Sequence, residues 1–258
     1  MVTFTFAGDL ASDPPEAAAL WEAGCRGMQQ QGDRIVAWFD DRVPLAVDGV
    51  WADADDTDWL ERYHRELQPV EIGTLVVAPT HRTVTLRAGQ QPLWLDPGTA
   101  FGTGHHETTR MALAALDRTP LEGARVLDVG SGSGILAIAA DRLGARRALG
   151  LDIDAATVPV ARENARRNRS RARFAVGTLD PDDPEHACDV LVANLFAELH
   201  VRLARDYARA VRPGGTLLLT GILDERAEPV RRALPAAGLR IQGWTEDGAW
   251  RLVTAVRP

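Results

Sequence analysis

Residues 125–140, Arg-Val-Leu-Asp-Val-Gly-Ser-Gly-Ser-Gly-Ile-Leu-Ala-Ile-Ala-Ala, constrain the fold of this chain more than any other stretch. The first five residues form a short apolar strand that must stop at Gly130, and residues 135–140 form the start of a helix packed back on it. Between them Gly130, Gly132 and Gly134 remove three β-carbons where the backbone turns sharply and approaches a ligand. A helix N-terminus at that point offers unpaired N–H groups and the positive end of a dipole. Asp152 then ends a second strand, placed like the acid that holds ribose hydroxyls in nucleotide-binding α/β sheets.

The glycine spacing is not the G-x-G-x-x-G of dinucleotide enzymes. It is D-x-G-x-G-x-G, from Asp128 to Gly134, and it resembles motif I of the S-adenosylmethionine-dependent methyltransferases with a doubly wound sheet. On this motif alone, a glycine-rich turn of some other nucleotide-binding α/β enzyme stays open.

The 258 residues suit one large domain or a medium domain with a small companion. No apolar run is long enough to cross a membrane and no signal peptide is evident, which points to a cytoplasmic chain. Cys25 and Cys188 are too few for a disulfide framework and lack metal-ligand spacing. All 29 basic residues are arginine. Genomic composition is the plainer cause, although an enzyme acting on lysines would thereby hold no ε-amine of its own to modify. The acidity is local: residues 1–58 hold 12 acids and 3 arginines, residues 59–258 hold 24 and 26. A basic partner docking on the N-terminal part and a merely solvated acidic face are both compatible with that asymmetry.

In chain order, residues 2–7 alternate as a half-buried strand, 14–25 carry a helical apolar stripe, and 27–30 and 34–39 form a hairpin. With residues 45–51 as a fourth strand this makes a small α+β module of ferredoxin-like type. Asp58 is placed to cap a short helix over 59–67, with Trp59 and Tyr63 on one face. The domains expected are therefore 1–56, a linker helix at 57–68, and a main domain over 69–258. Strands are expected at 74–78 and 83–87. After them, residues 96–109 (Asp-Pro-Gly-Thr-Ala-Phe-Gly-Thr-Gly-His-His-Glu-Thr-Thr) have no apolar period and read as a functional loop.

That loop, followed by the Gly130 turn, resembles the bacterial ribosomal protein L11 methyltransferases. The resemblance extends through Trp59-Leu60, the Asp152 strand, Asn194-Leu195 and Thr220-Gly221-Ile222, over nearly all of residues 57–258. Position 99 is Thr where the family's loop suggests Met, and residues 180–184 are variable ground that touches only the adenine contacts. The rest of the chain alternates helices and strands and ends in a hairpin, with Asp224 expected to cap the last helix. The fold class expected is α/β, a doubly wound, seven-stranded, mostly parallel sheet with one reversed strand.

The resemblance implies a chain that methylates lysine ε-amines and the N-terminal α-amine of ribosomal protein L11, with S-adenosylmethionine as cofactor. It implies that Gly130, Gly132 and Gly134 pass the amino-acid part and ribose, Asp152 takes the ribose hydroxyls, and Thr109 bonds the methionine end. Thr178 and Leu179 are the choice for the adenine edge. Asn194 and the Leu195 carbonyl would hold the target nitrogen, with Asn194 also counted among the cofactor contacts, where amino-methylating relatives carry N-P-P-Y, although here both prolines and the aromatic are absent. An Asn that only caps the next helix is the alternative for Asn194. His106 would accept a hydrogen bond from the amine, directly or through water. Phe101 would pack near the sulfonium, or serve as a loop anchor. A metal at His105-His106-Glu107 is disfavoured because adjacent side chains diverge. Residues 1–56 would dock the basic substrate, and the chain is expected to act as a monomer without nucleic acid or membrane. A lysine of another protein, such as the electron-transfer flavoprotein β subunit, is the rival substrate. A nicotinamide oxidoreductase is disfavoured by the glycine spacing and the missing lysine.

Overall fold

A computed structural model describes residues 2–8, 16, 19–20, 23–25, 27–53, 67–95 and 106–258. The chain divides into two compact units, Met1–Glu66 and Leu67–Pro258. The expected helix over 59–67, all of it but Leu67, and most of the expected helix over 14–25 lie outside the described residues.

The N-terminal unit is an antiparallel sheet of β1 (Val2–Ala7), β2 (Gly27–Gln31), β3 (Arg34–Phe39) and β4 (Val50–Asp53), in the order β2-β3-β1-β4. This is the strand order of a ferredoxin-like module. Phe4, Phe6, Ile35, Ala37 and Phe39 fill its core with Leu20 and Cys25. Residues 40–49 contain no helix, so the second crossover is a loop. One expectation changes here. The fourth strand begins at Val50 and not at residue 45, because Gly49 lies hard against the Phe4 ring and pairing with β1 starts only at Thr5↔Val50.

The larger unit opens with a small sheet of β5 (Val70–Ile72), β6 (Leu75–Ala78) and β7 (Gln91–Trp94). The expected strand over 83–87 does not form. Both edges of its neighbour β6 are taken, by β5 antiparallel and by β7 parallel, and residues 83–87 pair with neither outer strand. Ile72, Leu75, Val77 and Leu93 join the core on one face of the main sheet.

The main sheet contains β8 (Arg125–Val129), β9 (Arg147–Asp152), β10 (Arg173–Val176), β11 (Cys188–Asn194), β12 (Val211–Leu223), β13 (Arg240–Asp247) and β14 (Trp250–Val256). Their order is β10-β9-β8-β11-β12-β14-β13, and β14 alone runs against the rest. Alternating side chains feed two cores, as both faces of a parallel sheet require. Val126, Val190, Val192 and Leu218 face one side, with helices α1 (Glu107–Arg118), α2 (Ile135–Arg142) and α3 (Thr157–Arg167). Leu127, Val129, Leu191 and Leu219 face the other, with α4 (Ala197–Ala210) and α5 (Ala227–Ala236). Asp224 does not cap α5. Its carboxylate accepts from Arg251 Nε at 2.9 Å, and a single 3-10 turn over Asp224–Arg226 precedes the helix.

From β8 the chain continues to β9 on one side, while β11 enters on the other. The carboxyl ends of β8 and β11 therefore flank the switch point of the sheet, where ligands bind in doubly wound folds.

Candidate functional site

Gly130, Gly132 and Gly134 all have positive φ (77°, 49° and 82°), which L side chains rarely adopt. Their packing differs from the expectation of a close ligand approach at each. A β-carbon on Gly134 would stand 2.7 Å from Phe174 Cζ, so that glycine serves the seating of α2 against β10. One on Gly130 would meet Leu195 Cδ2 at 2.5 Å. Gly150, which sequence reasoning passed over, accommodates the same Phe174 ring.

Asp152 shapes this turn. Its Oδ2 accepts from Gly132 N–H at 2.7 Å and its Oδ1 from Asp154 N–H at 3.0 Å. The carboxylate thus pins the glycine loop from the next strand. A cavity of about 390 Å³ opens over it, lined by Thr109, residues 129–133, Asp152, Thr178, Asn194 and Leu195 among others. That size lies within the range of small-molecule sites. Thr109 Oγ1 and Ser131 Oγ line it, are buried, and have no hydrogen-bond partner among the described residues. Buried hydroxyls left unsatisfied are costly unless a ligand completes them. Thr178 lines the cavity together with Gly177, whereas the Leu179 side chain is buried in the core beneath α4 and does not reach it. Ile153, 80% exposed and also on the cavity wall, is an apolar surface that sequence reasoning missed; its only signal is its place after Asp152.

Beneath the loop, Asp128 is fully buried. Burial pushes its carboxyl up to about 7, against the Ala137 N–H that donates to Oδ2 at 3.2 Å, and the Asp152 charge pushes the same way.

The other wall is built by β11 and α1. His106 is the N-cap of α1, its Nδ1 accepting from Thr108 N–H at 3.3 Å. The same nitrogen lies 2.8 Å from Thr108 Oγ1, and Thr108 Oγ1 lies 3.1 Å from Asn194 Nδ2. The directions follow by elimination. Nδ1 accepts from the amide, so the Thr108 hydroxyl donates its only proton there and must accept from Asn194. The Asn194 amide therefore turns its NH₂ to Thr108 and its Oδ1 away. His106 is thus linked to Asn194 through a hydroxyl, with its ring 5.1 Å from that of Trp250. Asn194 does not cap α4; the cap position is Phe196, without a side-chain bond, and its ring is 70% exposed directly after Leu195. The aromatic missing from the expected motif is present here one residue early, which the sequence reading overlooked.

Leu195 N–H donates to Thr220 O at 3.0 Å. A β-carbon on Gly221, at φ 82°, would press on Leu195 O and stand 2.9 Å from Asn194 Oδ1. Both oxygens therefore lie together against the bare Cα of Gly221, where any side chain would clash with them. Phe101 and the rest of residues 96–105 lie outside the described residues.

A model of the ribosomal protein L11 methyltransferase (PrmA) family matches residues 30–258. The chain belongs to the ribosomal protein L11 methyltransferase family. It is 44% identical over 271 aligned positions to the Deinococcus radiodurans ribosomal protein L11 methyltransferase, covering 100% of this chain and 99% of that one. With the Thermus thermophilus protein of the same name the figures are 46% over 254 positions, and 98% of each chain. Among solved structures, a ribosomal protein L11 methylase from Lactobacillus delbrueckii subsp. bulgaricus superposes with a TM-score of 0.66 at 28% identity. That match covers 74% of this chain and 98% of the other. Membership makes the chain a protein methyltransferase with S-adenosylmethionine as methyl donor. The residues present fit that group: a cavity of suitable size, two buried hydroxyls without partners, and a carboxylate at its edge. The rival electron-transfer flavoprotein substrate finds no support among these relatives.

Proposed function

We propose that this chain transfers methyl groups from S-adenosylmethionine to lysine ε-amines and the N-terminal α-amine of ribosomal protein L11. The observation that carries the reading is that Asn194 and Leu195 both line the cavity, with Asn194 Oδ1 and Leu195 O lying together against Gly221. The cofactor, when bound, supplies an electrophilic methyl on a sulfonium. The protein must supply a neutral, oriented amine, and a lysine of pKa about 10.4 costs roughly 4.6 kcal/mol to deprotonate at pH 7. Two acceptor oxygens take the two N–H groups of a neutral amine and leave its lone pair aimed at the methyl. His106 keeps its assignment as acceptor of the amine's proton, directly or through water, with its Nδ1 side held by Thr108.

For the cofactor, Thr109 Oγ1 and Ser131 Oγ are assigned to the methionine end and Asp152 to the ribose hydroxyls. The backbone at Gly177 and Thr178 is assigned to the adenine edge, with Ile153 as the apolar surface beside it. Phe101 keeps its assignment near the sulfonium. Residues 1–56 are proposed to dock the basic substrate, with 57–68 as linker, on the strength of their local acidity. The chain is proposed to act as a cytoplasmic monomer; no helix among the described residues is long and apolar enough to cross a membrane.

Intact-mass analysis of ribosomal protein L11 incubated with the enzyme and cofactor tests the reading. Increments of one methyl mass are expected. Replacing the exposed Asp41 and Asp48 by Asn should raise KM for L11 and leave cofactor affinity unchanged. An unmodified L11 despite tight cofactor binding would send the assignment to a different basic protein.

A further inference from the structure

We infer that His200 is a positioning residue for methyl transfer, holding the Asn194–Leu195 acceptor pair in register through the Thr220 carbonyl; the inference rests on the reading of that pair given above.

His200 sits one turn into α4 and is fully buried. Its Nε2 lies 2.8 Å from Thr220 O and its Nδ1 lies 3.2 Å from the Tyr207 hydroxyl. A carbonyl can only accept, so Nε2 carries the proton and Nδ1 accepts from Tyr207, itself fully buried. One tautomer is thereby fixed. Burial pushes the imidazole down to about 4 and pushes the Tyr207 phenol up, so both partners keep the neutral forms that this arrangement needs.

Thr220 O is the point of convergence. It accepts from His200 Nε2–H and also from Leu195 N–H, at 3.0 Å, so it ties α4 to the two residues whose oxygens face the target nitrogen. Thr220 Oγ1 bonds onward to Arg251 O at 3.1 Å, which fixes the same peptide to β14. The next residue is Gly221, whose missing side chain lets Leu195 O and Asn194 Oδ1 pack against its Cα. A shift of the Thr220–Gly221 peptide would therefore move Leu195 and press on both oxygens together. An apolar ring would fill the His200 position, yet it would remove the bond from α4 to Thr220 O and leave the buried Tyr207 hydroxyl without its acceptor. The Thr220-Gly221-Ile222 motif noted in the sequence gains a role by this route: it presents one carbonyl to two donors and one bare Cα to two acceptors.

The test uses full-length enzyme and ribosomal protein L11, with His200→Phe, His200→Gln, Tyr207→Phe and Asn194→Ala compared for kcat, KM, cofactor Kd and thermal midpoint. His200→Phe should lower kcat about tenfold to a hundredfold, the scale of a sub-ångström to 1 Å misplacement, with KM and Kd within about twofold. His200→Gln, which keeps an N–H for Thr220 O, should recover kcat to within about threefold of the parent. Parental kcat in a folded His200→Phe would overturn the inference. So would kcat, KM and Kd worsening together without rescue by Gln, the mark of a purely structural residue. Should His200→Phe not fold, Tyr207→Phe decides: a selective fall in kcat supports the inference and an unchanged kcat overturns it. Loss of kcat in Asn194→Ala with none in His200→Phe rejects the inference alone, whereas unchanged kcat in Asn194→Ala rejects the acceptor pair on which it rests.

Discussion

Asn194 Nδ2 donates to Thr108 Oγ1 across 3.1 Å, joining the end of β11 to the first turn of α1 from 86 residues away. The bond decides which end of the amide faces the substrate. Because the hydroxyl spends its proton on His106 Nδ1, Asn194 is left with Oδ1 as its outward group, an acceptor suited to an amine N–H.

Replacing Thr108 by Val removes this arbitration and keeps the volume. The amide is then free to rotate, and the imidazole loses its bridge to Asn194. We expect kcat to fall by about tenfold to a hundredfold, with cofactor affinity within about twofold. Steady-state kinetics alongside calorimetric cofactor titration would check this, and a selective loss of cofactor affinity would contradict it.

Asp152 has two tasks, pinning Gly132 N–H in the structure and, as proposed, holding the ribose. Asp152→Ala should weaken cofactor binding by about 10-fold to 150-fold, the equivalent of one charge-assisted hydrogen bond of about 1.5–3 kcal/mol. Thr109→Val, which removes the buried hydroxyl without partner, should cost about 2-fold to 12-fold. Equilibrium titration with cofactor distinguishes the two, and unchanged affinity in Thr109→Val would remove that residue from the site.

The buried carboxyl of Asp128 makes stability depend on pH. Its folded value of about 7 stands above 3.8, so between the two the folded chain keeps a proton that the unfolded chain has lost. Stability from this group therefore falls as pH rises through that window and levels off above it. His200 has the opposite sign: its folded value of about 4 lies below 6.5, so its contribution rises with pH between them. Asp128→Asn should leave only the rising limb, with a gain over the parent that grows to on the order of 2–4 kcal/mol by neutral pH. Urea unfolding across this range would show it, and a constant offset at every pH would refute it.

How much of this was legible in the sequence differs from one element to another. The glycine turn and Asp152 were, because positive φ and a strand-to-helix switch leave a local pattern. The main sheet was, including its reversed strand, because alternation and turn residues mark each element in place. The strand expected at 83–87 failed because alternation reports a face and not a pairing partner. Asp224 failed as a cap because Arg251, distant in sequence, competes for its carboxylate. The Leu179 side chain lies in the core, which a loop position after β10 does not announce, and Phe196 exposes an aromatic where the motif suggested none. The Asn194–Thr108–His106 chain and the sharing of Thr220 O carry no sequence signal, since their members meet only through the sheet.

The central claim is that Asn194 serves the transfer and not the cofactor. The most direct measurement is single-turnover methylation of ribosomal protein L11 by Asn194→Ala, with cofactor Kd taken on the same preparation. A rate lower by about 10²–10³ with unchanged Kd is expected, the scale of one lost transition-state contact. An unchanged rate, or a loss of cofactor affinity that accounts for the whole effect, would contradict the account.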